Sequence, residues 1–415
     1  MGKEKLLMCS MKKIKEIVFW ELVLLRIITV SISLLSYFCT LASHGTYASI
    51  FIIMSLDIVA SMFDISWFFQ GIEDFKKIVI RNCIVKLTGV LLIFLFVKSS
   101  KDLHLYVFCQ STTLLLGNLS MWAYVPKLIG KTKIKNLNIT KHLKQTIILF
   151  FPQIATSVYT VLDKTMIGLL TGIEEEVAYY EQGQKIVKIV MALVTSLGTV
   201  MMPRVANLFK QNQLEQVKKY LSKSFRFVFF LAFPMMFGLM SISHNLVPWF
   251  FGDGYNKVVP NIMVISPILV IIALSNIMGT QYLLPIGRQK EYTLSVVVGC
   301  IVNFSVNLLL IPKCLSIGAA IATVIAESSV TGVQMYCIRK DFAFSKIIKD
   351  NIQYIISSFI MFVVTYLLAR YLSPSVINTL LCCIIGCSIY LGILIMMKDE
   401  MLLEVIKKIR FKIVK

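Results

Sequence analysis

Five of the 42 lysines and arginines stand deep inside apolar runs: Arg26, Lys86, Lys164, Lys185 and Lys188. Acids stand among the same runs: Asp57, Asp64, Asp163, Glu181 and Glu327. At the centre of a bilayer each such charge costs about 2.5–3.5 kcal/mol on insertion scales, so it normally faces a partner or a hydrated cavity. The spacing is helical. Arg26 shares a face with Thr29, Ser33 and Ser36. Asp57, Ser61 and Asp64 follow i, i+4, i+7, as do Asn82, Lys86 and Gly89. Gln153, Thr156, Thr160 and Lys164 line up, with Asp163 beside them. Glu181, Lys185, Lys188, Thr195 and Thr199 form a stripe, and Thr323, Glu327 and Thr331 another. Each set lies on one side of its helix. One-sided stripes on six helices predict a shared, hydrated interior. Lys185, Lys188, Arg26, Lys86, Lys164 and Gln153 would suit an anionic cargo there. Asp57, Asp64, Asp163, Glu181 and Glu327 are candidates for a coupling proton or sodium ion. The competing account is simple pairing: Glu181 with Lys185 at i, i+4, and Asp163 either holding Lys164 or capping an outer turn. Glu21 and Arg81, near run ends, can snorkel to the interface.

The elements that must position these residues are long apolar helices. The chain has 415 residues, 57% hydrophobic and 15% charged, with a mean hydropathy of +0.79. A soluble domain carries about 25% charged residues. The balance excludes a soluble, disordered or coiled-coil protein and predicts an all-α polytopic membrane protein. At roughly 20 residues per span, twelve runs emerge: 17–40, 46–70, 78–98, 103–125, 146–170, 177–201, 225–248, 258–284, 291–311, 317–338, 351–371 and 376–397. The first is too long for the apolar core of a signal peptide. Of the 42 basic residues, 32 fall in segments on one side of this arrangement, both chain ends among them. The positive-inside rule makes that side, and both termini, cytoplasmic. The net charge of +20 is thereby explained without a nucleic-acid partner. Ten cysteines and four histidines show no metal-ligand spacing, so neither a metal nor a cofactor is expected. The loops offer no nucleotide motif, catalytic acid pair or sizeable extramembrane domain, and no enzyme is expected.

A weak internal repeat links residues 67–90 to residues 283–306. Each has an apolar run end, a glycine (Gly71, Gly287), a charged turn, then Cys-Ile-Val followed by a polar residue (Lys86, Asn303). Longer motifs are more specific. DISWFFQGIEDFKKIVIRN (64–82), LDKTMIGLLTGIEEEVAYYEQGQKIVKIV (162–190), MMPRVANLF (201–209) and IGAAIATVIAES (317–328) resemble those of the Wzx-type O-antigen and capsule repeat-unit flippases. These are polysaccharide transporters of the multidrug/oligosaccharidyl-lipid/polysaccharide exporter superfamily. The resemblance implies two six-helix lobes around a central cavity, with an extra helix pair. On that plan residues 1–125 are a partial N-lobe of four helices, the family's first two being absent. Residues 126–145 are a basic cytoplasmic linker, 146–338 the C-lobe, and 339–415 the extra pair with a basic tail. It also implies a cargo, undecaprenyl-diphosphate-linked oligosaccharide, flipped across a bacterial cytoplasmic membrane beside a polysaccharide polymerase and chain-length machinery. Lys185, Lys188, Arg26 and Lys86 would then meet the diphosphate. The alternatives are a cation exporter of the same superfamily, a membrane glycosyltransferase or polymerase, and an inactive truncated flippase.

Overall fold

The computed structural model describes residues 2–42, 48–72, 74–130, 138 and 140–403. Within these, the side chains of 2–15, 41–42, 100, 142, 144–145, 148–149, 151–160, 196–204 and 210 lie outside the description. Every regular element among the described residues is a helix, as the composition predicts. The chain divides into two compact units, Met1–Leu149 and Phe150–Lys415. Part of the expected linker, 131–137 and 139, lies outside the described residues.

The first unit holds α1 (Gly2–Tyr37), α2 (Ala48–Met62), α3 (Ser66–Gly71), α4 (Phe75–Phe96), α5 (Leu103–Met121) and α6 (Val125–Leu128). Its core is an aromatic knot at one end of the bundle. Phe19, Phe68, Phe69 and Met121 are buried there, with Trp20, Trp67 and Trp122 packed around them. Side chains reinforce the break between α2 and α3: Asn118 Nδ2 bonds the Ala60 carbonyl at 2.7 Å, beside the Phe63 N–H, and Trp122 Nε1 bonds that of Phe63 at 2.8 Å. Asp64 Oδ1 accepts the Ser66 N–H at 2.9 Å and so starts α3. Glu21 does not snorkel: it is buried and accepts the Asn138 N–H at 2.7 Å.

The second unit begins within α7 (Thr140–Thr171) and continues through α8 (Glu174–Lys210), α9 (Leu214–Phe251), α10 (Val258–Ile265), α11 (Ile268–Met278), α12 (Gln289–Cys337), α13 (Phe344–Tyr371) and α14 (Val376–Met396). Gly172, at φ +66°, ends α7 in the left-handed conformation that side chains resist. Three glutamates in the first turn of α8 suit its positive dipole end. Pro267 follows α10, and a π-helical turn (Gly279–Leu283) follows α11. The run read as one helix over 258–284 is therefore interrupted. α12 is two helices meeting at Leu315 (φ 54°, ψ −133°), just beyond Pro312. That break falls between the runs read at 291–311 and 317–338. An added Cβ on Gly318 would lie 2.5 Å from the Leu310 carbonyl oxygen, so only glycine fits the turn.

α13 packs a stripe of Asn351, Tyr354, Ser357, Ser358, Met361 and Thr365 inward. Its other faces are apolar and exposed, as expected for lipid contact. Asp399, just past α14, is buried. Its Oδ2 accepts bonds from Gln353 (2.6 Å), Tyr354 (2.7 Å) and Arg226 (3.2 Å), holding the turn after α14 onto α9 and α13. Eight stretches of the described residues are long and apolar enough to cross a membrane, one of them the doubled α12. The three runs without such a stretch are helical as well: α5, α7 and α8 span 19, 32 and 37 residues.

Candidate functional site

The second unit concentrates its buried chemistry around Asp163. This α7 carboxylate has no exposed surface. Oδ2 accepts the Tyr180 hydroxyl at 2.6 Å and the Thr323 hydroxyl at 3.0 Å. Oδ1 accepts Asn307 Nδ2 at 2.6 Å, which also bonds Asn303 Oδ1 at 3.1 Å. Asp163 thus neither holds Lys164 nor caps an outer turn. Adjacent helix positions point about 100° apart, so when Asp163 turns into the bundle Lys164 faces elsewhere. Lys164 Nζ lies 3.2 Å from Glu181 Oε1.

The same geometry separates Lys185 from Lys188. Lys185 Nζ sits 3.3 Å from Glu181 Oε1 and its side chain is 57% exposed. Glu181 therefore serves two lysines, Lys164 and Lys185. Lys188 is turned to its own i−4 neighbour, donating to Gln184 Oε1 at 2.9 Å. Gln184 Nε2 in turn donates to the Tyr180 hydroxyl oxygen at 3.1 Å. A row of hydrogen bonds runs from Lys188 through Gln184 and Tyr180 to Asp163.

Lys188, Gln184, Asp163, Thr323 and Glu327 line a cavity of about 300 Å³. Asn276 and Thr280 from α11 and its π-helical turn, and Tyr292 and Gln334 from the two halves of α12, complete its polar wall. Glu327 is 7% exposed and is held by a partner within the protein. Irregular backbone beside such a cavity fits the habit of π-turns at functional sites. Among the described residues no cluster of histidine, cysteine and acid side chains could hold a metal ion. Sequence reasoning passed over Tyr180, Gln184 and Asn307 because the stripes were drawn through the charged positions of their helices. Their signal was the i, i+4 register: Tyr180, Gln184 and Lys188 on α8, Asn303 and Asn307 on α12.

In the first unit the structure brings Arg26 and Asp64 together. Arg26 Nε donates to the Ser61 carbonyl at 2.8 Å, and its guanidinium lies 3.6 Å from Asp64 Oδ2. Arg81 lies 4.0 Å from Asp64 and donates to Ser66 Oγ at 2.5 Å and to Asn118. Arg81 thus ties α4 to α3 and α5 through polar partners. Asp57 is half-buried on α2, and Lys86 is exposed on α4. Gln153 lies on α7, with its side chain outside the described residues.

A second cluster closes the far end of the unit. Glu176 Oε1 accepts Lys257 Nζ at 2.6 Å. Its Oε2 accepts the Ser316 hydroxyl at 2.5 Å and the Ser316 N–H at 3.2 Å. Burial pushes the Glu176 carboxyl up, but the bonds from Lys257 and Ser316 outweigh it and hold it below the usual range. The Glu176 hydrogen bond and charge raise the Lys257 ammonium in return.

This architecture is shared with known proteins. Residues 9–209 match the family model described as "Polysaccharide biosynthesis protein", and residues 149–309 match MatE. A protein of Escherichia coli strain K12 named as an O-antigen transporter is 23% identical over 329 residues, 78% of this chain and 79% of its own length. A Shigella dysenteriae protein of the same name is 27% identical over 61% of this chain and 63% of its own. Among solved structures, the lipid II flippase MurJ in an inward closed conformation superposes with a TM-score of 0.70 at 19% identity, covering 94% of this chain and 84% of that one. An outward-facing multidrug transporter of the MATE family gives 0.59 at 10% identity, over 79% and 78%. The fold is one shared with solved membrane flippases and multidrug transporters, and the chain is an integral membrane protein. The sequence likenesses are to O-antigen transporters and to the polysaccharide-biosynthesis family model.

Proposed function

We propose that this protein flips polyprenyl-diphosphate-linked oligosaccharide repeat units from the cytoplasmic to the outer leaflet of a bacterial cytoplasmic membrane, supplying surface polysaccharide. The observation that carries the reading is Lys188: a cation on the wall of a polar cavity whose direct partner is an amide, not an acid. A lysine so held keeps charge to spare for a diphosphate, which it meets as a point charge. Lys185 and Lys164, bridged by Glu181, supply further positive potential nearby. Arg26 and Lys86 are the candidates in the first unit. The names of the relatives support the reading, since they are O-antigen transporters and a lipid II flippase.

Alternating exposure of the site would come from rocking of the two lobes. Asp163 is the candidate for the coupling ion: its cluster offers carboxylate, hydroxyl and amide oxygens in one buried place, and Asn307 Oδ1 there has no hydrogen-bond donor. Hard oxygen donors of this kind suit a proton or an alkali cation. A cytoplasmic position for both termini completes the picture, and a polymerase and chain-length machinery would take the product.

Complementation of a flippase-null strain tests the function. The wild-type gene is expected to restore surface polysaccharide, and Lys188→Ala to fail at equal membrane level. Normal polysaccharide with the alanine variant would remove the site. Restored drug resistance without restored polysaccharide would favour the cation-exporter alternative.

A further inference from the structure

The turn after α14 keeps a lysine where glycine is the easier residue. The Lys398 N–H bonds the Ile395 carbonyl and the Asp399 N–H the Leu394 carbonyl, both at 3.0 Å. This double closure of the helix end puts Lys398 in the left-handed conformation, at φ 54°. That position usually falls to glycine. A residue held in a strained conformation points to a use for its side chain. Lys398 stands on the wall of a polar cavity of about 730 Å³ that shares no residue with the cavity around Asp163.

Two more lysines line that wall, Lys218 from the start of α9 and Lys346 from the start of α13. Three stretches far apart in sequence thus bring one lysine each to the same place. The acids of the wall do not balance them. Asp399 and Glu400 are engaged by Arg226 at 3.2 and 3.1 Å, and Asp341 by Arg288 at 2.9 Å. Glu215 approaches Lys218 only to 4.0 Å. Lys346 and Lys398 have no ion pair among the described residues, and Asp350 is the wall acid left to face them. Asn351 adds a different demand. It lines the cavity and is 5% exposed. Its Nδ2 donates to the Ile347 carbonyl at 2.7 Å, which fixes the amide, and its buried Oδ1 has no hydrogen-bond partner. That oxygen calls for a donor. A phosphate oxygen cannot supply one, whereas a hydroxyl can. An ammonium could donate too, but it would add another cation beside the lysines.

We propose that this cavity binds the phosphoglycerol headgroup of an anionic membrane phospholipid. The phosphate sits among Lys218, Lys346 and Lys398, and a glycerol hydroxyl donates to Asn351 Oδ1. The place suits a lipid. The cavity lies at the ends of α9, α13 and α14, all apolar enough to cross a membrane. Ile352 and Met396, each next in sequence to a residue of the wall, present exposed apolar surface for the acyl chains. A bound lipid would fasten the start of α13 and the turn after α14 to α9.

The melting temperature of the purified full chain in neutral detergent, followed against added lipid at fixed salt, tests the site. Phosphatidylglycerol is expected to raise Tm saturably, and phosphatidylethanolamine not to. Phosphatidylmethanol carries the same phosphodiester charge without the hydroxyls. It is expected to bind about two- to tenfold more weakly, the loss of one neutral hydrogen bond. Lys398→Gly separates use from structure. Glycine relieves the left-handed turn, so Tm without lipid is expected to hold or rise. Half-saturation by phosphatidylglycerol is nonetheless expected to need about tenfold more lipid, the loss of a charge-assisted bond. Lys346→Gln, within a regular helix, should weaken binding likewise and serves if the glycine variant fails to fold. Wild-type lipid affinity in either variant overturns the site, as does an equal response to phosphatidylethanolamine. Equal binding of phosphatidylmethanol overturns the pairing of a glycerol hydroxyl with Asn351. The same Tm shift from glycerol phosphate alone would make the site one for a soluble phosphate and overturn the lipid.

Discussion

Glu176 caps the second half of α12 from a different helix: its carboxylate accepts the Ser316 N–H at 3.2 Å, immediately after the break at Leu315. A helix start leaves N–H groups unpaired, and a buried acid from the first turn of α8 meets one of them. Glu176→Ala removes that acceptor and leaves Lys257 without its carboxylate. An unsatisfied buried donor costs about 1–3 kcal/mol. A lower melting temperature in detergent is expected, and an unchanged one would show that the cap contributes nothing. The pH dependence has a definite sign. The folded pKa of Glu176 lies below its unfolded value. Its stabilisation is therefore fully present above the unfolded value of about 4.3 and is lost as pH falls through the folded one. Glu176→Gln should flatten that acid-side loss.

Asp64 was a candidate for ion coupling, but Arg26 and Arg81 both lean on it and it starts α3. Asp64→Ala should therefore act on folding. Hydrogen bonds to charged groups contribute about 1.5–3 kcal/mol, so membrane levels of the variant should fall while transport per inserted molecule persists. Immunoblots of membranes beside a transport assay decide it. Normal membrane levels with abolished transport would return Asp64 to the functional site.

Topology is open to a direct check. The proposed orientation, from the excess of basic residues on one side, puts the loop between α8 and α9 in the cytoplasm and the start of α10 outside. A single cysteine at Lys257 should label from outside intact cells, and one at Glu215 only after permeabilisation. External labelling at Glu215 would invert the proposed orientation.

Periodicity made much of the fold legible. Length and hydropathy mark the long helices but not the short α3 and α6, and Pro312 lies at the break before Leu315. The Ser266–Pro267 interruption of the eighth run carried a proline as well, yet the apolar run continues across it and hides it. At the site, charge was legible and direction was not. The stripe on α8 is real, but one helical step decides whether a lysine meets Glu181 or Gln184. Asp163 was flagged by its charge alone. Its partners Tyr180, Asn307 and Thr323 come from 17, 144 and 160 residues away, a separation no local pattern can bridge.

The same helical step separates the expected phenotypes of two lysines. Lys185 and Lys188 are three positions apart, but they have different partners. Lys185 shares Glu181 with Lys164, so its removal leaves Glu181 still paired. Lys185→Ala is expected to retain most transport. Lys188 has no such understudy: Gln184 holds it at the cavity wall beside Glu327 and Asp163. If its ammonium meets the cargo, its loss removes a charge-assisted bond of about 1.5–3 kcal/mol, a factor of roughly ten to a hundred in transport at limiting cargo. Lys188→Arg should keep part of it, since the charge survives while its geometry changes. Complementation titrated with expression level, with membrane amounts checked by immunoblot, ranks the three variants. Equal loss from Lys185→Ala and Lys188→Ala would mean that the two lysines act only as a common positive field. Lys188 would then have no role distinct from that of Lys185.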